Sequence, residues 1–216
     1  MKYYISDLHF FNPTFLPWRG FSTLEEENRV LTGRWNARVT EEDEVYILGD
    51  FSEGSAEETN GLLRTLHGQK TLLIGNHDEY LSSPSFDRAL FREITHYKEL
   101  EDGGIRVILS HYPLPFYNGQ YRHLSDPSAV TYMLYGHLHC TYDETLLNDY
   151  LTSSASRTRE MQGVEDPVPV VCNMINCCCY LCAYSPFSLP EWIEEDRRRR
   201  AKLNARNKEF GSFAQK

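Results

Sequence analysis

Long hydrophobic runs are missing from this sequence of 216 residues. No apolar stretch approaches the roughly 20 residues that a membrane-spanning helix requires. The first strand-like run begins at Lys2, which leaves no room for a signal peptide ahead of it. We therefore expect a cytoplasmic protein that has no membrane partner.

Cysteines are few, and their placement disfavours disulfides. Cys177, Cys178 and Cys179 are consecutive, with Cys172 shortly before them and Cys182 shortly after. Neighbouring residues on a strand point to opposite faces, so adjacent pairs bridge poorly. No second pair of ligands at zinc-finger spacing is present. We expect reduced thiols on a late apolar strand, as is usual in the cytosol.

Positive charge is also in short supply outside the last segment. The net charge is −9, and from Glu191 onward the chain carries +3, so the remainder carries −12. A body this acidic disfavours long polyanions such as duplex DNA. We therefore do not expect a nucleic acid as the partner.

What the sequence does contain is a set of short apolar runs that each end in residues able to bind metals. Runs of β-branched and aromatic residues bounded by Gly, Ser or Asn are typical of buried strands. In α/β sheets, ligands bind beyond the carboxyl ends of the strands. The runs and the residues that follow them are Lys2–Ile5 before Asp7 and His9, Val45–Leu48 before Asp50, Thr71–Ile74 before Asn76, His77 and Asp78, Ile105–Leu109 before His111, and Tyr132–Tyr135 before His137 and His139.

The order of these motifs, D-x-H, G-D, G-N-H-D, a lone H and G-H-x-H, resembles the calcineurin-like metallophosphoesterase superfamily. The motifs span residues 7–139, and their closest likeness is to small bacterial and phage-type phosphoesterases. The resemblance implies an α/β fold, a sandwich of two mixed β-sheets flanked by α-helices. It also implies an active site at the carboxyl ends of the strands.

By this resemblance, two divalent metal ions share the carboxylate of Asp50. The ligands of one ion would be Asp7, His9 and His139, and those of the other Asn76, His111 and His137. Two ions a few ångströms apart can activate a bridging hydroxide and neutralise charge on a phosphate ester. Histidine and aspartate together suit Mn, Fe or Zn better than Mg or Ca.

His77 is implied by the resemblance to lie outside the coordination shell, where it would stabilise the phosphate and protonate the leaving oxygen. A general acid needs a partner that holds its proton. Asp78 and Glu53 are both candidates for that role. The stretch from Gly49 to Gly54 lacks the arginine that protein Ser/Thr phosphatases carry here, so a phosphoprotein is not the expected substrate.

Two segments rich in aromatic, Arg and Asn side chains are expected to overhang the metals and select the substrate. The candidate contacts are Asn12 and Arg19 in the first segment, and Tyr112, Arg122 and His123 in the second. The expected activity is hydrolysis of a phosphate mono- or diester of a small molecule, with nucleotides among the candidates. A nuclease of the same superfamily and a catalytically inactive scaffold are the alternatives. The substrate, the metal and the oligomeric state are left open.

Helix signals fall between the expected strands. Ser22-x-x-Glu25 and Ser55-x-x-Glu58 are capping boxes that predict helix starts. Residues 143–154 are expected to be helical, 157–164 to form a loop and 168–179 to supply one or two strands. We predict a metallophosphoesterase domain over residues 1–190 and a charged C-terminal helix or tail over 191–216.

Overall fold

The computed structural model describes residues 1–124, 126 and 128–213, with side chains described as far as residue 203. The strands are β1 (Lys2–Ile5), β2 (Glu44–Ile47), β3 (Gln69–Leu73), β4 (Glu93–Thr95), β5 (Tyr97–Asp102), β6 (Ile105–Ser110), β7 (Thr131–Tyr135), β8 (Thr158–Arg159), β9 (Val168–Pro169) and β10 (Met174–Asn176). The α-helices are α1 (Leu16–Arg19), α2 (Leu24–Asn36), α3 (Ala56–Thr65), α4 (Tyr142–Ala155) and α5 (Leu189–Phe213). Single 3-10 turns cover Pro13–Phe15, Glu79–Ser82, Arg88–Leu90, Arg122–Leu124 and Cys179–Cys182.

Two four-stranded sheets form the body of the protein. The first has the order β1-β2-β3-β4 with parallel pairing throughout, and an antiparallel bridge joins Tyr4 at its edge to Phe187. The second has the order β10-β7-β6-β5, and only β5 runs antiparallel. A hairpin joins β5 and β6, with Gly103 and Gly104 at its tip. The expected α/β sandwich of two sheets is thus confirmed.

The strands of the second sheet alternate between two hydrophobic clusters, as the period of two along a strand requires. One face belongs to the hydrophobic cluster that it shares with the first sheet, through Val107, Leu109, Leu134 and Ile175. The opposite face packs against Leu151 of α4, through Ile108, Met133, Tyr135 and Met174. The seam between the sheets is therefore apolar, and both sheets have helices on their outer sides.

Helices α2 and α3 begin at capping residues. Ser55 and Glu58 form the predicted reciprocal capping box at α3. At α2 the cap is Thr23 rather than Ser22, because the Thr23 side chain accepts from the Glu26 amide. The prediction was therefore one residue early.

The segment between α4 and α5 agrees with the sequence prediction only in part. Thr158–Arg159 pairs antiparallel with Val168–Pro169, so the expected loop contains a short strand. Residues 168–179 supply two strands, Val168–Pro169 and Met174–Asn176, as predicted, but the consecutive cysteines follow the second strand and are not part of it. All six cysteines carry free thiols, as expected. After β10 the chain turns at Cys179–Cys182. Cys177, Cys178, Cys179 and Cys182 are thereby buried in the hydrophobic core that contains the first sheet.

Helix α5 docks on the body and is not a free tail. Its Trp192 is fully buried, and the indole Nε1 donates to the Tyr4 carbonyl at 2.9 Å. Arg199 and Arg200 reach Glu144 and Asn148 of α4, and Arg200 also donates to the Met174 carbonyl at 2.8 Å. The predicted boundary at residue 190 remains a prediction, and residues 214–216 lie outside the described residues. Nowhere in the described part of the chain is there a helix both long and apolar enough to cross a bilayer.

Arg200→Ala should lower the free energy of unfolding by about 1–3 kcal/mol, since it leaves the Met174 carbonyl and Asp196 without a charged donor. Arg197 is the matched control, because its side chain is 71% exposed and pairs only with Glu194 among the interactions described. Arg197→Ala should change stability by less than about 0.5 kcal/mol. Urea unfolding of the two variants measures the difference, and equal effects would contradict the docking role of Arg200.

Candidate metal centre

The candidate ligands follow the carboxyl ends of strands from both sheets. In the first sheet, Asp7 and His9 follow β1, Asp50 follows β2 and Asn76 follows β3. In the second sheet, His111 follows β6, and His137 and His139 follow β7. Hydrogen bonds join these loops across the seam between the sheets, including His137 N to Asp7 Oδ1 at 2.8 Å and Ser6 N to Cys177 O at 2.9 Å. The site therefore lies where the two sheets meet.

Two groups of possible ligand atoms form there, and they share one carboxylate. The first group comprises Asp7, His9, Asp50 and His139, and the second comprises Asp50, His111 and His137. Within each group the ligand atoms lie within 4.8 Å of one another. Asn76 joins the second group, with its Oδ1 3.0 Å from His111 Nε2. The structure thus brings together all seven predicted ligands.

The tautomer of His9 leaves a lone pair directed into the first group. Glu53 Oε1 lies 2.6 Å from His9 Nδ1, and a carboxylate at that distance holds the proton on Nδ1. His9 Nε2 therefore presents a lone pair, and it faces His139 Nε2 at 3.2 Å and Asp50 Oδ2 at 3.6 Å. A lone pair facing a carboxylate oxygen lacks a proton to share, and a cation between them satisfies both.

His111 repeats this arrangement in the second group. Its Nδ1 lies 2.8 Å from the Leu48 carbonyl, which can only accept, so the proton is on Nδ1. His111 Nε2 then presents a lone pair toward the acceptor oxygens Asn76 Oδ1 at 3.0 Å and Asp50 Oδ2 at 3.5 Å. Both groups bring together acceptors, most of them buried, which is the donor chemistry of a divalent metal site.

Burial pushes five of the candidate ligands toward their neutral forms when no cation is bound. It raises the pKa of Asp7 to about 6 and lowers the pKa of His9 to about 2. Burial likewise raises the pKa of Asp50 and lowers the pKa values of His111 and His139. Neutral imidazoles are the form that ligates metals, and a bound cation would keep the carboxylates ionised.

Comparison with known families agrees with this geometry. The model of the calcineurin-like phosphoesterases matches residues 3–141, which is more than half of the chain and includes every ligand of both groups. The chain belongs to the calcineurin-like phosphoesterase family. The family includes metal-dependent phosphoesterases, and the Asp and His cluster is compatible with divalent metals.

Individual curated proteins are similar to part of this chain. An uncharacterized protein of Methanocaldococcus jannaschii is 39% identical over 82 residues, which cover 36% of this chain and 47% of that protein. The gene 66 protein of Mycobacterium phage L5 is 34% identical over 80 residues, which cover 35% of this chain and 39% of that protein. The chain thus matches less than half the length of these curated relatives.

A solved structure extends the similarity to nearly the whole chain. A protein of unknown function from Aquifex aeolicus superposes with a TM-score of 0.59 at 26% identity. The superposition covers 88% of this chain and 96% of that one. The similarity therefore includes the region after residue 141, which the family model does not match.

His77 lies beside the donor groups and belongs to neither. Its side chain is 48% exposed, its ring centroid is 5.2 Å from that of His9, and its backbone amide donates to Asp50 Oδ1 at 2.8 Å. Glu53 Oε1 lies 3.8 Å from His77 Nδ1, and the same oxygen accepts from Asn12 Nδ2 at 2.7 Å. Of the two candidate partners, Glu53 is therefore the one near the His77 ring.

Asp78 has a different role from the one expected. Its carboxylate is buried and accepts from the backbone amides of Gly75, Asp50 and Phe51 at 2.7–3.1 Å. These bonds hold the loop after β3 against the loop after β2. Asp78 is thus a structural link that places Asp50, and the expectation that it orients His77 is not supported.

Arg19 is also placed differently from the expectation. Its side chain is fully buried in an ion pair with Glu27 at 2.7 Å, and it donates to the carbonyls of Leu8 and Asp7 at 2.7 and 3.2 Å. This placement contradicts the prediction that Arg19 contacts the substrate. Arg19 instead supports the D-x-H loop from behind, a role that no sequence pattern had indicated.

The second substrate segment divides into two parts. Tyr112 lies beside the metal centre. Its ring centroid is 4.6 Å from that of His137, and the residue is 46% exposed. Arg122 instead lies beside Gly119, Thr131 and Arg106, near the amino ends of β6 and β7. The strands are five or six residues long, so this end is roughly 13 Å or more from the ligands. The prediction for Arg122 is therefore wrong, and His123 lies in the same turn.

Several ligands adopt left-handed backbone conformations, which cost roughly 1 kcal/mol each in residues other than glycine. The positive φ angles are 58° at Asp7, 45° at His9, 51° at Asp50, 69° at His137 and 51° at His139. Close packing of the loops adds a second constraint, because a Cβ at Gly75 would lie 2.2 Å from Asp50 Oδ1. The surrounding hydrogen bonds hold these conformations in place.

Supporting residues beyond the ligands were missed in the sequence. Ser6 Oγ donates to Asp7 Oδ2 at 2.6 Å, and Asn176 Nδ2 donates to the His139 carbonyl at 2.7 Å. Cys179 Sγ lies 3.0 Å from the Asp7 carbonyl. The only signal for Ser6 was its position next to Asp7. Asn176 and Cys179 are brought to the site from more than 35 residues away by the pairing of β10 with β7.

Metal affinity should fall as the pH drops below about 6. The pKa of Asp7 in the metal-free protein is raised to about 6, so below that value a proton occupies the carboxylate and must leave before a metal binds. His9 does not compete for protons there, since its pKa is lowered to about 2. Calorimetric titration with Mn²⁺ should show affinity falling by about tenfold per pH unit below pH 6. An affinity that is constant from about pH 5 to pH 7.5 would contradict this assignment.

Proposed function

We propose that this chain is a metal-dependent hydrolase that cleaves a phosphate ester bond in a small-molecule mono- or diester. The proposal includes two divalent ions per chain, chosen among Mn, Fe and Zn. The observation that carries it is the position of the Asp50 carboxylate. Its Oδ2 atom lies 3.6 Å from His9 Nε2 and 3.5 Å from His111 Nε2, and each of these nitrogens presents a lone pair. One oxygen between two such nitrogens fits a carboxylate shared by two ions.

The residues around the donor groups fit different roles in the proposed reaction. Bound divalent ions would supply positive charge that polarises the phosphate and activates water. Asp7 and Asp50 hold the carboxylate charge at the site, and Asn76 adds a neutral oxygen, so the centre keeps an affinity for an anionic ester. His77 stands outside the ligands with its ring half exposed, where it can donate a proton to the leaving oxygen. Glu53 stabilises the protonated ring from 3.8 Å.

Two alternatives are weaker on the same observations. A nuclease needs a basic surface for the polyanion, whereas the chain outside the last segment carries a net charge of −12. An inactive scaffold would not need the predicted ligands, yet here all seven converge, with His77 beside them. The proposal therefore favours turnover of a small substrate.

A cytoplasmic location belongs to the same proposal. All six cysteines carry free thiols, and four of them are buried in the core. A reducing compartment keeps such thiols unpaired.

Asp50→Asn should lose at least one ion and reduce turnover on the order of a hundredfold or more, because a neutral amide cannot share its charge between two cations. Elemental analysis of the purified protein and hydrolysis of 4-nitrophenyl phosphate and bis(4-nitrophenyl) phosphate measure the two effects. Asp149→Asn, at an exposed carboxylate on α4, is the matched control. A variant that retains both ions and the full rate would refute the shared-ligand assignment.

His77→Ala should retain the metals and lose about 10²–10⁴-fold in rate, since His77 acts outside the coordination shell. The loss should shrink for esters with very good leaving groups, which need little protonation. His96→Ala is the control, as His96 is exposed between β4 and β5. An equal loss for good and poor leaving groups would assign His77 to phosphate binding instead.

A further inference from the structure

A cavity of about 340 Å³ adjoins the metal centre and shares one of its candidate ligands. Its walls are Phe15, Trp18, His139, Cys140, Thr141 and Tyr180. None of these residues carries a carboxylate, an ammonium or a guanidinium group. A molecule held by the metal centre through its phosphate would therefore have an uncharged and largely aromatic space directly beside it.

The wall of this cavity nearest the metal centre is formed by two aromatic rings. The Phe15 ring is parallel to the His139 ring, with an angle of 7° and centroids 5.7 Å apart. The buried Arg19 guanidinium lies 4.8 Å from the centroid of the same Phe15 ring. The two parallel rings present a flat aromatic wall beside the metal centre.

Trp18 forms the outer wall and is 81% exposed. The other two tryptophans, Trp35 and Trp192, are 1% and 0% exposed and belong to the core. An exposed indole beside the metal centre contributes a large binding free energy when a ligand covers it, because tryptophan has a large apolar surface. It also reports on the cavity alone, because the core tryptophans are shielded.

A second cavity near the centre has the opposite character. It measures about 440 Å³ and lies on the His77 side, where Glu53, Glu57 and Glu79 line it together with Ser52, Ser55 and Ser83. Carboxylates and hydroxyls suit a polar or cationic group. The two rings in this lining are those of His77 and of Tyr80, and Tyr80 is only 5% exposed. The two sides of the centre therefore differ in the chemistry they can bind.

We propose that the cavity formed by Phe15, Trp18 and Tyr180 binds a planar aromatic ring of the phosphate ester, with a nucleobase as the occupant. The inference rests on the proposed function, since it places the phosphate of the same molecule at the metal centre. Stacking on aromatic side chains accepts every base, because each base has a π-face. Apart from His139, the walls offer few hydrogen-bonding side-chain groups, namely the Trp18 indole N–H, the Thr141 and Tyr180 hydroxyls and the Cys140 thiol, so discrimination between bases is weak.

Trp18 fluorescence tests ring binding without any turnover. The Mn²⁺-loaded protein is titrated with adenosine, which has the ring without a phosphate, and with inorganic phosphate, which lacks the ring. Adenosine should quench the emission through stacking, and phosphate should leave it unchanged. Absence of quenching by adenosine would overturn the proposal.

Affinities of variants provide the second test, with a phosphonate analogue of adenosine monophosphate as the ligand because its P–C bond resists hydrolysis. Trp18→Ala should weaken binding about tenfold in calorimetry, and Trp18→Phe should restore most of it. Phe116→Ala is the matched control, since Phe116 is 73% exposed and lies in a separate cavity with Tyr121 and Tyr150. The affinity for inorganic phosphate should be the same in all four proteins.

The outcomes separate this proposal from the proposed function. If Trp18→Ala weakens phosphate binding as much as binding of the phosphonate, Trp18 supports the metal centre and the ring site is wrong. If esters are hydrolysed but adenosine neither binds nor quenches, the hydrolase proposal stands and the ring site is overturned. If the ring binds while no phosphate ester is turned over, the ring site stands and the hydrolase proposal fails.

Discussion

The Asp50 carboxylate is the constraint on which the rest of the site depends. It is buried at the seam of two sheets, where an unpaired charge is expensive, and burial raises its pKa. Its Oδ1 accepts from the His77 amide, and its Oδ2 stands between the lone pairs of His9 and His111. A buried carboxylate between two imidazole lone pairs favours the binding of a cation on each side. Asp50 therefore belongs to both donor groups.

Holding Asp50 requires a layer of residues that never touch a metal. Asp78 links the loop after β3 to the Asp50 backbone, and Arg19 holds the loop that carries Asp7 and His9. The left-handed backbone at five of the ligands shows that the loops are in conformations they would not adopt alone. The apolar contact between the sheets and the buried ion pair of Arg19 with Glu27 supply the rigidity that keeps them there.

The two cavities beside the metal centre have different linings, and this difference fits one orientation of the proposed substrate. On one side are His77 and Glu53 with an acidic cavity, and on the other are Phe15 and Trp18 with an aromatic one. A proton donor and a ring-binding wall on different sides of one anion site suit a phosphate ester that has both a leaving oxygen and a planar group. Helix α5 lies away from the ligands and contributes through Trp192 and Arg200 to the stability of the body.

The strands β1, β2, β3, β6 and β7, and the seven candidate ligands that follow them, could be predicted from the sequence. These features depend on local patterns, because an apolar run sets a strand and its carboxyl end places the next polar side chain. The roles of Arg19, Asp78 and Arg122 could not be predicted, since a charged residue in a loop has the same sequence signature whether it is buried or exposed. Only the tertiary structure decided that Arg19 is enclosed with Glu27, that Asp78 accepts three backbone amides, and that Arg122 lies at the far end of β6. Those outcomes follow from which segments the packed sheets bring together, and that depends on contacts between residues far apart in the chain.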